Sequence, residues 1–366
     1  MHYRKVLVFG GSFDPPHPIH IRMLKKAIEL VKPNKIIVVP TYISPFKKNH
    51  LFSYTDRKSM LRNLLKKMRL NFTISDFEYK RKRKTYTWML INHLKRKYPN
   101  CNIYFLIGSD NIEKINEWKR SDYLIKNLTF VVAERDGYPL KKSAYQKLKI
   151  LKIKERFTNL SSTQIRDEIF LGNLKNLAPQ TKAYIEKKLR IKKLLNTVKK
   201  LMTPSRWNHT MQTIKLSTKL AWIYGADTKK AFLAALFHDC AKDLDIETQI
   251  KLAIKSKMKI KRFDDIIKHA PQIIHQWASV AIVRDKFKIH DKDILSSISK
   301  HATGSRKMSL LDMIVYVSDI ASPDRDFKEA SEIRKEAFKN IKKAFEKAKK
   351  IKLKYVKKKK GFIYEN

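Results

Sequence analysis

The hydrophobic periodicity changes character near residue 190, and that change limits what the chain can fold into. Upstream, short β-rich runs at 5–9, 35–39, 102–107 and 128–133 alternate with helical stretches such as 24–31. Runs of this kind, closed by Gly or Pro, predict a parallel, doubly wound α/β sheet. Ligands of such sheets sit beyond the carboxyl ends of the strands, so the loops after Phe9, Val39, Ile107 and Ala133 are where chemistry is expected. From Leu194 onward strand-like runs disappear, and the spacing predicts helices over 207–224, 229–242, 275–287, 293–300 and 310–320. The expected organisation is an α/β domain over 1–192, an all-α domain over 193–350 and a basic tail over 351–366.

Composition narrows the setting. The two cysteines, Cys101 and Cys240, cannot build a disulfide framework, which fits a reducing compartment. No charged-then-apolar leader precedes the first strand and no run approaches the roughly 18 apolar residues of a spanning helix, so a soluble, cytoplasmic protein without a membrane partner is expected. The net charge of +47 suits polyanionic ligands. Lysine is nevertheless spread over every face, together with Ile and Asn, as a coding bias would place it. Nucleic acid is therefore not expected as the primary partner, and only Lys357–Lys360 reads as a local basic patch.

The first strand runs directly into Gly10-Gly11-Ser12-Phe13-Asp-Pro-Pro-His17-Pro-Ile-His20. Two glycines let the backbone approach a phosphate, and the following helix offers free N–H groups to an anion. His17 and His20, three apart, share one face of a helical turn. Farther on, Ser161 and Gln164 have capping-box spacing and would start a helix whose first turn, with Thr163 and Arg166, can grip phosphate oxygens.

This segment resembles the nucleotidyltransferase superfamily, and most closely the bacterial nicotinate-nucleotide adenylyltransferases. The resemblance continues in order through Pro40 to Lys47, Lys84-Thr85-Tyr86-Thr87, Gly108-Ser-Asp110 with Trp118, Arg135-Asp-Gly-Tyr138, and Ser162-Thr163-x-x-Arg166. It implies a Rossmann-like fold and attack of a mononucleotide phosphate on the α-phosphorus of ATP, with Mg2+ bridging the leaving oxygens. By the same resemblance His17, His20, Lys47 and Arg166 neutralise phosphate charge, and Gly10, Gly11, Ser12, Phe13, Ser162 and Thr163 hold ATP. Thr85, Tyr86, Thr87, Gly108, Asp110, Trp118 and Arg135 then belong to the ligand site, with nicotinate mononucleotide as the implied acceptor. Two positions depart from the pattern. Ile19 replaces a glycine and is expected to crowd the adenosine or shift the helix start, and Lys84-Thr85 replaces a small residue and bears on substrate choice. Phosphopantetheine is the alternative acceptor, because related branches share the histidine pair.

The helical half carries His209, His238-Asp239, His275, His301 and Asp319, residue types that bind hard or borderline divalent metals. The apolar run before His238 implies burial, where Asp239 needs a metal ion or a salt bridge to Lys242. The set, with Arg206, His301-x-Thr-Gly304 and Val317-Ser-Asp319, resembles the HD superfamily of phosphohydrolases, in its branch of symmetrical diadenosine tetraphosphate hydrolases. The resemblance implies a pair of divalent ions such as Fe or Mn. His209, His238, Asp239 and Asp319 would hold one ion, His275 and His301 would complete the second site, and Asp239 would bridge; a dinucleoside polyphosphate would be the substrate. Trp277, after His275, is expected to narrow the pocket. The alternative is a helical domain that senses nucleotides without catalysis.

Overall fold

The computed structural model describes residues 4–43, 50–66, 68, 71–140, 146–158, 160–358 and 361–364. Six strands, β1 (Lys5–Gly11), β2 (Lys35–Pro40), β3 (Phe72–Ile74), β4 (Asn102–Gly108), β5 (Thr129–Arg135) and β6 (Ile150–Phe157), form one sheet. Their order is β3-β2-β1-β4-β5-β6, and every neighbouring pair is parallel. The direction of winding reverses between β1 and β4, which opens a crevice at their carboxyl ends, at Gly10–Gly11 and Gly108.

The strands read as continuous apolar runs because helices cover both faces. Val6, Val8, Ile37, Val39, Phe105 and Val132 pack into one core cluster, while their alternating neighbours Leu7, Phe9, Ile36, Val38, Leu106 and Val131 pack into the other. Four strands lie where the sequence predicts them. β3 is only three residues long, and β6 interleaves Lys152, Lys154, Glu155 and Arg156 with only Ile153 and Phe157 buried. Both are edge strands, for which short length and charge are ordinary protection.

The chain divides into two compact units, residues 1–166 with 174–189 and residues 167–173 with 190–366. The second unit is helical. Its helices include Pro204–Tyr224, Thr228–Phe237, His275–Asp285, Lys292–Lys300 and Leu310–Ile320. Side chains of Thr203, Asp227, Asp291 and Ser309 accept first-turn N–H groups, and Gly225 closes the first helix at φ 76°. No helix among the described residues is long and apolar enough to cross a membrane.

Two local expectations change. The helix predicted through residue 242 ends at Phe237, and His238 and Asp239 follow in turns. The segment read as a tail, 351–366, is helical through Lys358, as the end of the helix Ile341–Lys358 that Ile341, Ala344, Phe345 and Ala348 anchor with a buried stripe. Beyond it, Phe362 and Tyr364 pack against a cluster containing Ile266, Ile274 and Trp277.

Candidate active sites

In the first unit the loop after β1 is pinned from three directions. Arg57, 1% exposed, donates to the carbonyls of Ser12 (2.6 Å), Thr41 (2.7 Å) and Phe52 (3.1 Å), tying the loops after β1 and β2 together. Asp14 accepts the backbone N–H groups of Leu51 and Phe52 at 2.8 and 2.9 Å. Its own carbonyl accepts from Arg166 at 2.7 Å. Sequence reasoning quoted Asp14 without a role and passed over Arg57. The signal for Arg57 was faint, one of four cations, Arg57, Lys58, Arg62 and Lys66, in the helix Tyr54–Lys66.

His17 caps the helix Pro18–Val31, and His20 Nδ1 accepts the His17 backbone N–H at 3.2 Å. That bond places the proton of a neutral His20 ring on Nε2. The two rings lie 3.6 Å apart. Burial, with the charge of Arg135, holds the pKa of His17 down to about 3. His17 is therefore neutral near pH 7 and can offer a hydrogen bond rather than a positive charge. Its Nδ1 is buried without a hydrogen-bond partner. The helix starts at Pro18, and Ile19 packs against the Leu7 cluster.

Gly108 ends β4, where a Cβ would lie 2.4 Å from Asp110 Oδ1 and 3.2 Å from Arg135 Cδ and would force the Asp110 carboxylate to move. Arg135 Nη1 meets Asp110 Oδ2 at 3.2 Å, and its Nη2 donates to the Leu160 carbonyl at 3.2 Å. The capping box forms as the spacing predicts, with Ser161 N–H to Gln164 Oε1 at 2.9 Å and Gln164 N–H to Ser161 Oγ at 3.2 Å. It opens the helix Ser162–Phe170, in which Arg166 Nη2 donates to Thr163 Oγ1 at 2.8 Å. His17 with His20, Arg135 with Asp110, and Arg166 with Thr163 and Asp14 thus form three bonded groups. Phe13 packs edge-on to His20. Gly10 and Gly11 end β1, where a Cβ on Gly11 would press the Phe13 ring at 3.1 Å.

The remaining positions lie on other elements. Thr85 is buried and donates to the Arg83 carbonyl, Tyr86 caps the helix that starts at Thr87, and the ammonium groups of Lys84 and Lys119 stand 5.9 and 5.0 Å from the Tyr86 ring. Trp118 is edge-on to Phe105. Lys47 lies outside the described residues.

In the second unit the imidazoles are set by one repeated device. Nδ1 of His238, His275 and His301 donates to the carbonyl three residues back, at Ala235 (2.7 Å), Gln272 (2.8 Å) and Ile298 (2.7 Å). Each bond fixes the tautomer and leaves Nε2 as a lone-pair donor. The Nε2 atoms of His275 and His301 lie 3.1 Å apart, and 3.1 and 3.3 Å from Asp239 Oδ1. Nε2 of His238 lies 3.6 Å from Asp239 Oδ2 and 3.9 Å from Asp319 Oδ1. His209 Nε2 meets Asp319 Oδ1 at 2.9 Å, and its Nδ1 meets Asp324 Oδ2 at 2.9 Å.

Two overlapping groups, His209–His238–Asp239 and Asp239–His275–His301, have ligand atoms within 4.8 Å of one another and share Asp239. His238 is fully buried and its Nε2 has no hydrogen-bond partner. A buried acceptor left alone costs about 1–3 kcal/mol, and several converge here. A divalent cation satisfies them together, and imidazole nitrogens with carboxylates are its donor set. Asp239 also makes the Lys242 salt bridge, at 3.1 Å, and a bond of the same length to Arg206. The turn after Phe237 is what brings the adjacent His238 and Asp239 side chains to one place. Asp324 was missed, its only signal being a carboxylate five residues beyond Asp319. Trp277 does not narrow a pocket, being buried at 2% exposure in the cluster with Ile274.

A doubly wound sheet with a crevice at its switch point and an all-α unit with converging imidazoles and carboxylates define a protein of two units, each with its own candidate centre. Two family models match accordingly, cytidylyltransferase-like over residues 8–168 and HD domain over 206–324. A protein of Mycoplasma genitalium named "Probable nicotinate-nucleotide adenylyltransferase/Ap4A hydrolase" is 32% identical over 88% of this chain and 88% of its own. One of the same name from Mycoplasma pneumoniae is 30% identical over 87% of this chain and 89% of its own. A solved Clostridium acetobutylicum structure, described as a predicted HD superfamily hydrolase involved in NAD metabolism, is 32% identical over 47% of this chain and 90% of that one, with a TM-score of 0.45. The chain belongs to the family of these fused mycoplasma proteins, in which a cytidylyltransferase-like domain is joined to an HD domain. HD domains bind divalent metals, and nucleotidyltransferases use Mg2+.

Proposed function

We propose that the first unit transfers the adenylyl group of ATP to nicotinate mononucleotide, giving deamido-NAD and pyrophosphate, and that the second hydrolyses dinucleoside polyphosphates. The observation that carries this reading is the likeness, over 88% of the chain, to a fused protein bearing both names.

In the transfer, an oxygen of the mononucleotide phosphate forms a bond to the α-phosphorus of ATP while the bond to the bridging oxygen of pyrophosphate breaks. No covalent enzyme intermediate is needed, so the protein contributes positioning and charge stabilisation. His20 donates from Nε2 to a phosphate oxygen, and neutral His17 adds a hydrogen bond beside it. N–H groups at the starts of Pro18–Val31 and Ser162–Phe170 face the polyphosphate. Arg166, tied to Asp14 and Thr163, positions the loop and adds positive potential. Lys47 is assigned to the phosphates, and Thr85, Tyr86, Thr87, Asp110, Trp118 and Arg135 to the acceptor side. Mg2+ bound with ATP supplies charge neutralisation at the leaving group.

In the second unit His209, His238, Asp239, His275, His301 and Asp319 hold a pair of divalent ions, Fe or Mn, with Asp239 shared. The metals supply Lewis acidity and activation of water when bound. The chain's own part is to orient the six ligands, and Arg206, Lys242 and Arg325 hold their carboxylates in place. The free thiols of Cys101 and Cys240 support a reducing, cytoplasmic setting.

The test is chromatography of the protein incubated with ATP, Mg2+ and nicotinate mononucleotide, and separately with diadenosine tetraphosphate and Mn2+. Deamido-NAD that disappears in His20→Ala, and ADP that disappears in Asp239→Ala, are the expected products. Adenylylation of phosphopantetheine alone overturns the acceptor. Metal binding without hydrolysis turns the second unit into a sensor.

A further inference from the structure

His275 stands at a junction in the chain. It is the first residue of the helix His275–Asp285, and the chain reaches that helix through a 3-10 turn at Pro271–Ile273. The first N–H groups of a helix have no acceptor within it, so the place of such a residue depends on side-chain bonds and on what packs around it. The Nδ1 bond of His275 goes to Gln272, inside the same turn, and would move with it. The remaining hold is packing: Ile274 and Trp277, on either side of His275, are buried in a cluster with Ala253 and Ile266.

Residues 361–364 close that cluster from outside. Phe362 and Tyr364 pack against it. Phe362 stacks on His269 with ring centroids 6.0 Å apart and lies beneath the Arg262 guanidinium at 4.6 Å. Arg262 caps the seven-residue helix Phe263–His269, so one ring holds both ends of the element that leads into the turn. Tyr364 is edge-on to Trp277 at 5.7 Å. Gly361 ties the segment to the preceding helix, its N–H donating to the Val356 carbonyl at 2.9 Å. The other ligands are built apart from this packing. His209, His238 and Asp319 lie in or directly after the helices Pro204–Tyr224, Thr228–Phe237 and Leu310–Ile320, and among the described residues none of these helices contributes to the Trp277 cluster.

Groups that orient a ligand imidazole from outside the ligand set are felt in metal affinity, by about 10–100-fold when they are lost. We infer that Phe362 and Tyr364 are positioning residues for His275, so that the Asp239–His275–His301 ion site depends on residues 361–364 and the His209–His238–Asp239 site does not. The inference rests on the two-ion reading of the second unit and adds to it a clamp outside the ligand set.

The test is Mn2+ titration of the full chain, read by elemental analysis and by the electron paramagnetic resonance signal of a spin-coupled Mn pair. The variant carrying Phe362→Ala with Tyr364→Ala should bind one ion of the pair about tenfold or more weakly and give the uncoupled spectrum of His275→Ala, with the other ion held as in the parent. The conservative Tyr364→Phe, which keeps the ring, should restore the coupled pair. Ile341→Ala removes a buried contact elsewhere in the same unit and should leave both ions in place, which separates positioning from general destabilisation. Should the double variant not fold, Tyr364→Ala alone carries the same comparison. Parent-like binding of both ions in the Ala variants overturns the clamp, and so does loss of both ions together or an equal loss in Ile341→Ala. A parent that never shows a coupled pair overturns the two-ion reading and the clamp with it. If the Ala variants lose one ion as described but the parent cleaves no dinucleoside polyphosphate, the clamp stands and the hydrolase reading falls.

Discussion

Burial acts on single titratable groups at both centres. The pKa of His238 is held down to about 3 and that of His275 to about 4, in each case chiefly by burial. Both Nε2 atoms therefore keep their lone pairs well below neutral pH and are ready for metal. Asp239→Ala should lose bound divalent metal by elemental analysis, and chelation should lower the thermal midpoint of the second unit by about 5 °C or more, restored by Mn2+. In the first unit, burial lifts Glu78 from its ordinary 4.5 to about 7, although it accepts the Tyr42 N–H. The sign follows from linkage: the folded state's extra proton stabilises fully below pH 4.5, and that contribution is lost as pH rises through about 7. Glu78→Gln keeps the acceptor and cannot ionise. Its stability relative to the parent should rise between those pH values, by about 1–2 kcal/mol after allowing for solvent screening. Equal denaturation curves for the two proteins at pH 8 would refute this.

At the scale of elements, turns and caps decide where side chains go. Ser161→Ala removes the hydroxyl that accepts the Gln164 N–H and should cost about 1 kcal/mol. KM for ATP should rise with it, since the proposed transfer sets the same helix start against the phosphates. Gly108→Ala inserts a Cβ into the space of Asp110 Oδ1 and Arg135 Cδ. Adenylyl transfer should fall by about tenfold or more with the far-ultraviolet circular dichroism unchanged. Central strands, flanking helices and the Ser161–Gln164 box were legible because their periodicity or spacing is local. β6 and the Ile341–Lys358 helix were not. In each, lysines and arginines outnumber the few buried positions, Ile153 and Phe157 or Ile341 and Phe345. Where the helix before His238 stops was equally hidden, because its apolar run continues through Phe237 without a Gly or Pro to mark the turn.

Over the whole molecule, each centre is assembled from residues of its own unit, 1–166 for the first and 190–366 for the second. His20→Ala should therefore abolish deamido-NAD formation and leave diadenosine tetraphosphate hydrolysis within about twofold, with Asp239→Ala doing the reverse. Loss of both activities in either variant would show that the centres are coupled. The sequence by itself determined the class of each half, the order of the motifs and the identity of the converging histidines and carboxylates, because strand and helix periods and ligand chemistry are written in residue types. Only the tertiary structure decided the rest. It brought Asp14, Arg57 and Arg166 together to pin one loop, took the charge from His17 by burying it, and placed Asp324 beside the second centre. Those outcomes depend on distances between residues far apart in the chain, and the energies of burial and pairing exist only once those distances are set.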